Sequence, residues 1–296
     1  MVHHSESRRK PGLNYKWFTL LGLLAFLVLI LVLTIQPVHD YQVIQRINSL
    51  GGRISHEVPE DQMEGFPSEQ IQNTLRNHRF IPLESVTRIN FYRTSITDSD
   101  LACLKEFKNL RQLNLSRTKI SDTGLIHLKG LAKLENLFLN DTPMTGSALR
   151  HLKELKSLKF LWLDHTQVSD SDLVHLAGHL NLERLSLNGT QVTGSGLEHL
   201  KDLMDLEYLS LENTEVDDTG LLHLNDLSNL RTLYIRNTRG TEAGIAELKM
   251  ALPDCVIVDD SYREGDLGSN PFFCFKNHEL HEETITCTLD TNILQV

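Results

Sequence analysis

The sequence predicts an α/β solenoid: a horseshoe with a parallel β-sheet on its concave face and helices on its convex face, preceded by a transmembrane helix. Three observations predict it. Seven threonines, Thr94, Thr118, Thr142, Thr166, Thr190, Thr214 and Thr238, recur every 24 residues. Each closes the same apolar phrase, as in Leu110-Arg-Gln-Leu113-Asn-Leu115-Ser-Arg-Thr118. Upstream, the run Trp17 to Ile35 carries no charge. A strict period of this length marks stacked supersecondary units, none of which can bury its leucines alone.

Taken in chain order, residues 1–16 are read as a basic cytoplasmic N-terminus, with Arg8, Arg9, Lys10 and Lys16 against Glu6. Residues 17–35 span roughly 28 Å at about 1.5 Å per residue, enough for a hydrocarbon core. A cleaved signal peptide has a shorter apolar run, about 7–15 residues, ending in a small-residue cleavage site. Thr34-Ile-Gln-Pro-Val-His39 offers no Ala-x-Ala pattern, and no cysteine stands near to accept a lipid. The run is therefore read as an uncleaved signal anchor. Only Arg46 and Arg53 follow it closely. The positive-inside rule then makes the chain a single-pass membrane protein with its repeats on the extracytoplasmic side.

Residues 36–85 are expected to cap the solenoid. Tyr41 to Leu50 has apolar residues at helical spacing, and Gly51-Gly52 can end that helix. Arg53 to Val58 reads as a strand closing the first rung. Pro59 to Leu83 reads as irregular, with a short helix at Ser68 to Arg76.

Residues 86–253 hold the seven repeats. Aligned, the unit is L-x-x-L-x-L-x-x-T-x-[IV]-[ST]-D-x-G-L-x-H-L-x-x-L-x-x. Its first half alternates as a strand with one buried face, as at Leu137 and Leu139. Its second half switches period: Leu125, Leu128 and Leu131 stand three apart, as on a helix with one inward stripe. Position twelve is Thr97, Ser121, Thr145, Ser169, Thr193, Asp217 or Thr241, all good N-caps. Asp98, Asp122, Asp170 and Asp218 come next, where they are expected to complement the helix dipole.

This phrase resembles that of leucine-rich repeat proteins, LxxLxLxxN/C, with Thr in place of Asn or Cys. A threonine hydroxyl can still donate to a backbone carbonyl in the turn, so the ladder is weakened rather than absent. The continuation Ile120-Ser-Asp-Thr-Gly-Leu125 and the cap Leu50-Gly51-Gly52 are similar to those of single-span, membrane-anchored repeat proteins of planctomycete bacteria. The resemblance covers about Tyr41 to Val258. It implies the fold and says almost nothing about function. It also implies that Leu252-Pro-Asp-Cys-Val-Ile-Val258 forms a last rung.

Residues 254–296 are the C-terminal cap and tail. Cys274 and Cys287 can pair there if the tail is exported, whereas Cys103 reads as a small buried residue. Two repeats depart from the template: Gly240 replaces the aliphatic of position eleven, and His179 takes a leucine position ahead of Leu180, which is expected to rotate one helical turn.

The formal net charge is −10. An acidic exported domain argues against nucleic acid or anionic lipid as the main partner. Histidines recur at position eighteen, His127, His151, His175, His199 and His223. Helices packed about 8–10 Å apart hold equivalent residues too far apart to share an ion bound at about 2 Å, so no metal is expected. The sequons Asn114-Leu-Ser, Asn140-Asp-Thr and Asn188-Gly-Thr arise whenever the template carries Asn at a strand end. No nucleotide-binding loop, zinc-protease or nucleophile-elbow phrase is present, and no cofactor or enzymatic activity is expected.

Exceptions to the template are the candidates for function. Outward strand positions carry Phe138, Phe160 and Trp162 on two neighbouring strands, fringed by Asp141, Asp164 and His165. Tyr208 and Tyr234 form a second patch. Solvent-facing aromatics with a polar rim suit a binding hot spot, although they also suit β-strands and can simply cover one another. Asp164-His165 with Ser186 is a catalytic alternative without an activating motif. The expected function is a non-catalytic scaffold binding a protein partner through the concave face. The alternatives are an envelope glycan-binding module and, with inverted topology, a cytosolic adaptor.

Overall fold

In a computed structural model, residues 39–56 and 82–262 are described; the expected anchor at 17–35, the short helix at 68–76 and both cysteines of the tail lie outside them. Among the described residues no helix is long and apolar enough to cross a membrane. Those up to Asp260 belong to one compact unit, and the unit beginning at Ser261 is described only to residue 262.

The unit is a nine-stranded sheet whose strands lie in sequence order. They are β1 (Arg53–His56), β2 (Val86–Asn90), β3 (Gln112–Asn114), β4 (Asn136–Phe138), β5 (Phe160–Trp162), β6 (Arg184–Ser186), β7 (Tyr208–Ser210), β8 (Thr232–Tyr234) and β9 (Val256–Val258). From β2 to β9 all pairs are parallel and residue i faces residue i+24 throughout, as Leu113 faces Leu137 and Leu137 faces Leu161. The sequence period is therefore the sheet register. β1 alone runs antiparallel, Ile54 facing Ile89, and closes the first rung. β9 closes the last, with Ile257 beside Leu233.

The N-terminal helix, residues 39–49, ends as its two glycines require. Gly51 adopts φ +78 and donates to Asn48 O, while Gly52 donates to Ile47 O. This is the Schellman arrangement, in which a left-handed residue satisfies the last helical carbonyls. At Gly52 a β-carbon would stand 2.5 Å from the Phe91 ring and 2.8 Å from Ile47, so the second glycine is there for close approach.

One continuous core of leucines runs between the strands and the helical segments. Those segments are helical, as the sequence reading expects, and the structure adds their type. Most are 3-10 rather than α-helices, for example Gly146–Leu152 and Gly194–Leu200; α-helix is confined to Asp218–Leu221 and Glu242–Ala251 in the last two repeats. The physical reason is length. About ten residues must traverse the back of each rung, and the 3-10 rise of about 2.0 Å per residue covers more distance than the α rise. In the second repeat the helical turn begins at Gly124, so Thr123, not Ser121, precedes it.

All seven threonine hydroxyls donate to the carbonyl three residues earlier, at 2.5 to 2.8 Å, from Thr94 on Phe91 to Thr238 on Ile235. The residue before each threonine has positive φ: Arg93, Arg117, Asp141, His165, Gly189, Asn213 and Asn237. The turn thus needs a left-handed residue, and the threonine pins it.

His179 is also a correction. It rotates nothing: it fills the leucine slot at 1 % exposure, its Nε2 2.9 Å from Leu152 O of the preceding repeat, while Leu180 turns outward. Burial holds its pKa below the ordinary histidine value. Cys103 is half-buried, its thiol donating to Asp100 O, and Cys255 is buried, which pushes its pKa up to about 12.

Candidate functional site

The strand register brings the five aromatic candidates into one row. Phe138 ends β4, Phe160 and Trp162 bracket Leu161 on β5, Tyr208 begins β7 and Tyr234 ends β8. Inward leucines leave the alternate side chains on the opposite face of the sheet. Phe138 and Trp162 face each other in register, with ring centroids 5.3 Å apart. Phe160 meets Trp162 edge-on at 6.0 Å. Trp162 then stacks on Tyr208 at 6.3 Å and 21°, and Tyr208 contacts Tyr234 at 5.4 Å.

The two patches expected from sequence are therefore continuous. The bridge crosses β6, which lies between β5 and β7 and presents Ser186 beside Trp162. Ser186 and Ser210 are each 1 % exposed and form a small-residue floor over which the larger rings lean. Each aromatic pair in such geometry contributes roughly 0.5–1.5 kcal/mol beyond its buried area. Arg184 on β6 sits over Phe160, its guanidinium carbon 4.9 Å from the ring centroid, and widens the row with a cation–π contact.

Phe138 departs from expectation. It is 7 % exposed and so is covered, not solvent-facing; Phe160, Trp162, Tyr208 and Tyr234 are half-buried. The rings cover one another and still leave a partly open surface. Burial raises the Tyr208 phenol well above its ordinary pKa, so it stays a neutral donor.

Of the three polar candidates, Asp141 and His165 are exposed and occupy left-handed turn positions at the edge of the row. Asp141 pairs with Arg117 at 3.0 Å. His165 lies against Gly189, where any β-carbon would collide with its ring. Asp164 is buried and structural. Its Oδ1 accepts the Ser186 hydroxyl and, at 3.0 Å, the Asn188 backbone N–H. This is one link of a side-chain ladder, since Asn140 Oδ1 accepts Asp164 N–H and Asn188 Oδ1 accepts Glu212 N–H.

The ladder bears on two further sequence readings. Ser186, the nucleophile of the catalytic alternative, is buried, donates to Asp164 and accepts from Asn188 Nδ2. Two of the sequon asparagines, Asn140 and Asn188, use their side-chain oxygens to bind the next rung, and Asn114 holds Ser116 N–H at 3.0 Å. Among the described residues no group of histidine, cysteine, aspartate or glutamate could hold a metal ion.

On the back of the solenoid, sequence reasoning missed what the aspartates of position thirteen do. They reach forward to the next repeat. Asp98 accepts Ser121 N–H at 2.8 Å and the Ser121 and Thr123 hydroxyls. Asp122 does the same for Thr145 and Ser147, Asp170 for Thr193 and Ser195, and Asp218 for Thr241. Where position thirteen is glycine, the next repeat supplies its own carboxylate: Asp172 after Gly146, and Asp217 after Gly194. A β-carbon on either glycine would run into that carboxylate. Each of these junctions so holds a single carboxylate. The signal was present in the sequence as an exchange between Asp98/Gly124-type and Gly146/Asp172-type pairs one repeat apart.

A parallel one-residue-in-24 sheet, inward leucines, a pinned left-handed turn and a short helical return are together the fold of leucine-rich repeat proteins. The chain is an α/β repeat solenoid of that class. Among solved structures it is similar to an internalin C2 from Listeria monocytogenes, with 27% identity, a TM-score of 0.51, and coverage of 69% of this chain and 88% of that one. It is also similar to a leucine-rich repeat protein of Leptospira interrogans, with 21% identity, a TM-score of 0.41, and coverage of 53% and 44%. No family model matches the chain, and no curated protein does.

Proposed function

We propose that the chain is a non-catalytic protein–protein interaction scaffold whose partner docks on the outward face of the sheet along Phe160, Trp162, Tyr208 and Tyr234, with Phe138 bracing the row from beneath Trp162. The observation that carries this reading is the continuity of the row across β4 to β8. The fold asks only for residues that tolerate a strand at these sites, as the Ser186 and Ser210 floor illustrates. Partly exposed, mutually braced aromatics lose little side-chain freedom on binding and make effective anchors. Repeat solenoids present such faces as extended binding surfaces.

The charge-free run at 17–35 and the basic residues before it support a membrane-anchored protein with its repeats on the extracytoplasmic side, as in the planctomycete proteins it resembles. A protease added to intact cells should degrade the repeats; protection until the cells are lysed would favour the cytosolic adaptor instead.

The docking surface is tested by affinity capture with the full chain and its Trp162→Ala variant. Loss of the captured protein, with unfolding temperature retained, supports the surface; equal capture removes it. Envelope glycans screened in parallel separate the second reading, for which stacking aromatics beside Asp and Asn side chains also serve.

A further inference from the structure

The solenoid is electrically lopsided. Residues 86–157, its first three repeats, contain twelve Lys/Arg and seven Asp/Glu, whereas residues 158–253 contain seven and fifteen. On the outward face the basic end gathers beside β2 and β3. Arg88 and Arg93 are exposed, and neither has a carboxylate partner among the described residues. Arg111 and Arg117 reach the other way, to Glu135 and Asp141 of the repeat that carries β4. Arg117 also covers Tyr92, 5.8 Å from its ring centroid. The arginines therefore lead into the aromatic row, with Arg88 on β2 about 10 Å from β4 at the usual strand spacing.

We infer that the partner segment is an acidic polypeptide: carboxylate side chains pair with Arg88 and Arg93 while neighbouring apolar side chains lie along Phe160, Trp162 and Tyr208. This rests on the proposed reading of the aromatic row as a docking surface, and it adds the partner's chemistry and direction. The argument is charge complementarity. Guanidinium groups bind carboxylates through paired N–H donors, and two that have no carboxylate partner among the described residues are placed at one end of the row. Exposed pairs of this kind steer and orient an encounter more than they tighten it, while the rings supply the anchor. The chain as a whole is acidic, so the attraction is local. At physiological salt the Debye length of about 8 Å confines it to the neighbourhood of β2 and β3. Because Arg88 and Arg93 stand at one end of the row, they set which way a partner crosses the strands.

The experiment uses the full chain in a non-ionic detergent and two fluorescein-labelled peptides with the same apolar half, Leu-Phe-Leu-Tyr. One carries a block of glutamates and the other a block of lysines. Anisotropy should show the acidic peptide binding about tenfold tighter than the basic one, and weakening as salt rises. The Arg88→Glu/Arg93→Glu variant, checked for an unchanged circular-dichroism melt, should weaken acidic-peptide binding about tenfold. Equal binding of the two peptides, no binding of either, or indifference to the arginine reversal overturns the inference. If Trp162→Ala still abolishes peptide binding while arginine reversal does nothing, the docking surface stands and its acidic partner falls. If neither substitution matters, both fall. Tighter, arginine-dependent binding of polygalacturonate or an oligothymidylate would reassign the arginines to an anionic glycan or a nucleic acid, against this inference.

Discussion

Asp170 of the fourth repeat holds the first turn of the fifth: its carboxylate accepts the Thr193 N–H and the Thr193 hydroxyl, each at 2.6 Å. With the equivalent contacts of Asp98, Asp122 and Asp218, this makes the back of the solenoid a chain of repeat-to-repeat clamps, complementing the leucine core. Stability in such stacks is the sum of repeat terms and nearest-neighbour interfaces, so these contacts act on cooperativity as well as on the local turn.

Moving the carboxylate tests the clamp. Gly146→Asp places a second carboxylate where Asp172 already lies and should cost about 1–3 kcal/mol through crowding and like charge. Adding Asp172→Gly recreates the arrangement seen at Asp170 and Gly196 and should restore most of the loss. Urea unfolding of the two variants measures this; a double variant no better than the single one would refute the exchange.

Acid should release the same clamps. For Asp98, Asp122 and Asp170, burial works to raise the pKa, but hydrogen bonds from the next repeat's hydroxyls and N–H groups outweigh it and hold each below the ordinary carboxylate value. A folded pKa below the unfolded one gives stability that is complete above the unfolded value, about 3.9, and is lost as pH falls through the folded value. The melting temperature should therefore drop steeply below about pH 4. A chain with Asp98, Asp122 and Asp170 all changed to Asn should start lower and lose less over that interval.

His179 adds a separate, milder window. Its pKa is lowered by burial, so its contribution is complete above about pH 6.5 and lost as pH falls from there towards the folded value. His179→Leu restores the residue of the other repeats and should flatten the fall in melting temperature as pH drops below about 6.5. An unchanged slope would show that His179 binds protons equally in the folded and unfolded chain, so that burial does not lower its pKa.

The threonine ladder is a third stability element. Thr166→Val removes the 2.5 Å donation to Leu163 O at nearly constant volume and should cost about 0.5–1.5 kcal/mol in equilibrium unfolding. A neutral result at Thr166 and at Thr190 would mean that the left-handed turn holds itself.

The sequence made the register legible because the period is constant: every strand pairing from β2 to β8 follows from adding 24. The end of the N-terminal helix was legible too, since Gly51-Gly52 is its own stop signal. What the sequence hid lies in direction and depth. A carboxylate at position thirteen reads equally well as serving its own helix or the next, and only the packed structure shows Asp98 turned towards Ser121. Alternation marked Phe138 as outward without showing that Trp162, one strand away, would help cover it. The left-handed turn was masked because Arg93, Arg117 and His165 stand at positions where only Gly189, Asn213 and Asn237 announce it. The bridge from Trp162 to Tyr208 could not be seen either, because it passes over a strand whose serines are informative only once their neighbours are known.

The most direct measurement of the docking surface is site-specific photocrosslinking on the full chain in the cells that express it. A photoreactive phenylalanine analogue replaces Tyr208 in one preparation and Val174, an exposed residue of the 3-10 segment Asp170–His175, in another. The row predicts a discrete crosslinked protein from position 208 that disappears with Trp162→Ala, and none from position 174. The same species from both positions, or one only from 174, would place the interaction elsewhere and contradict the account.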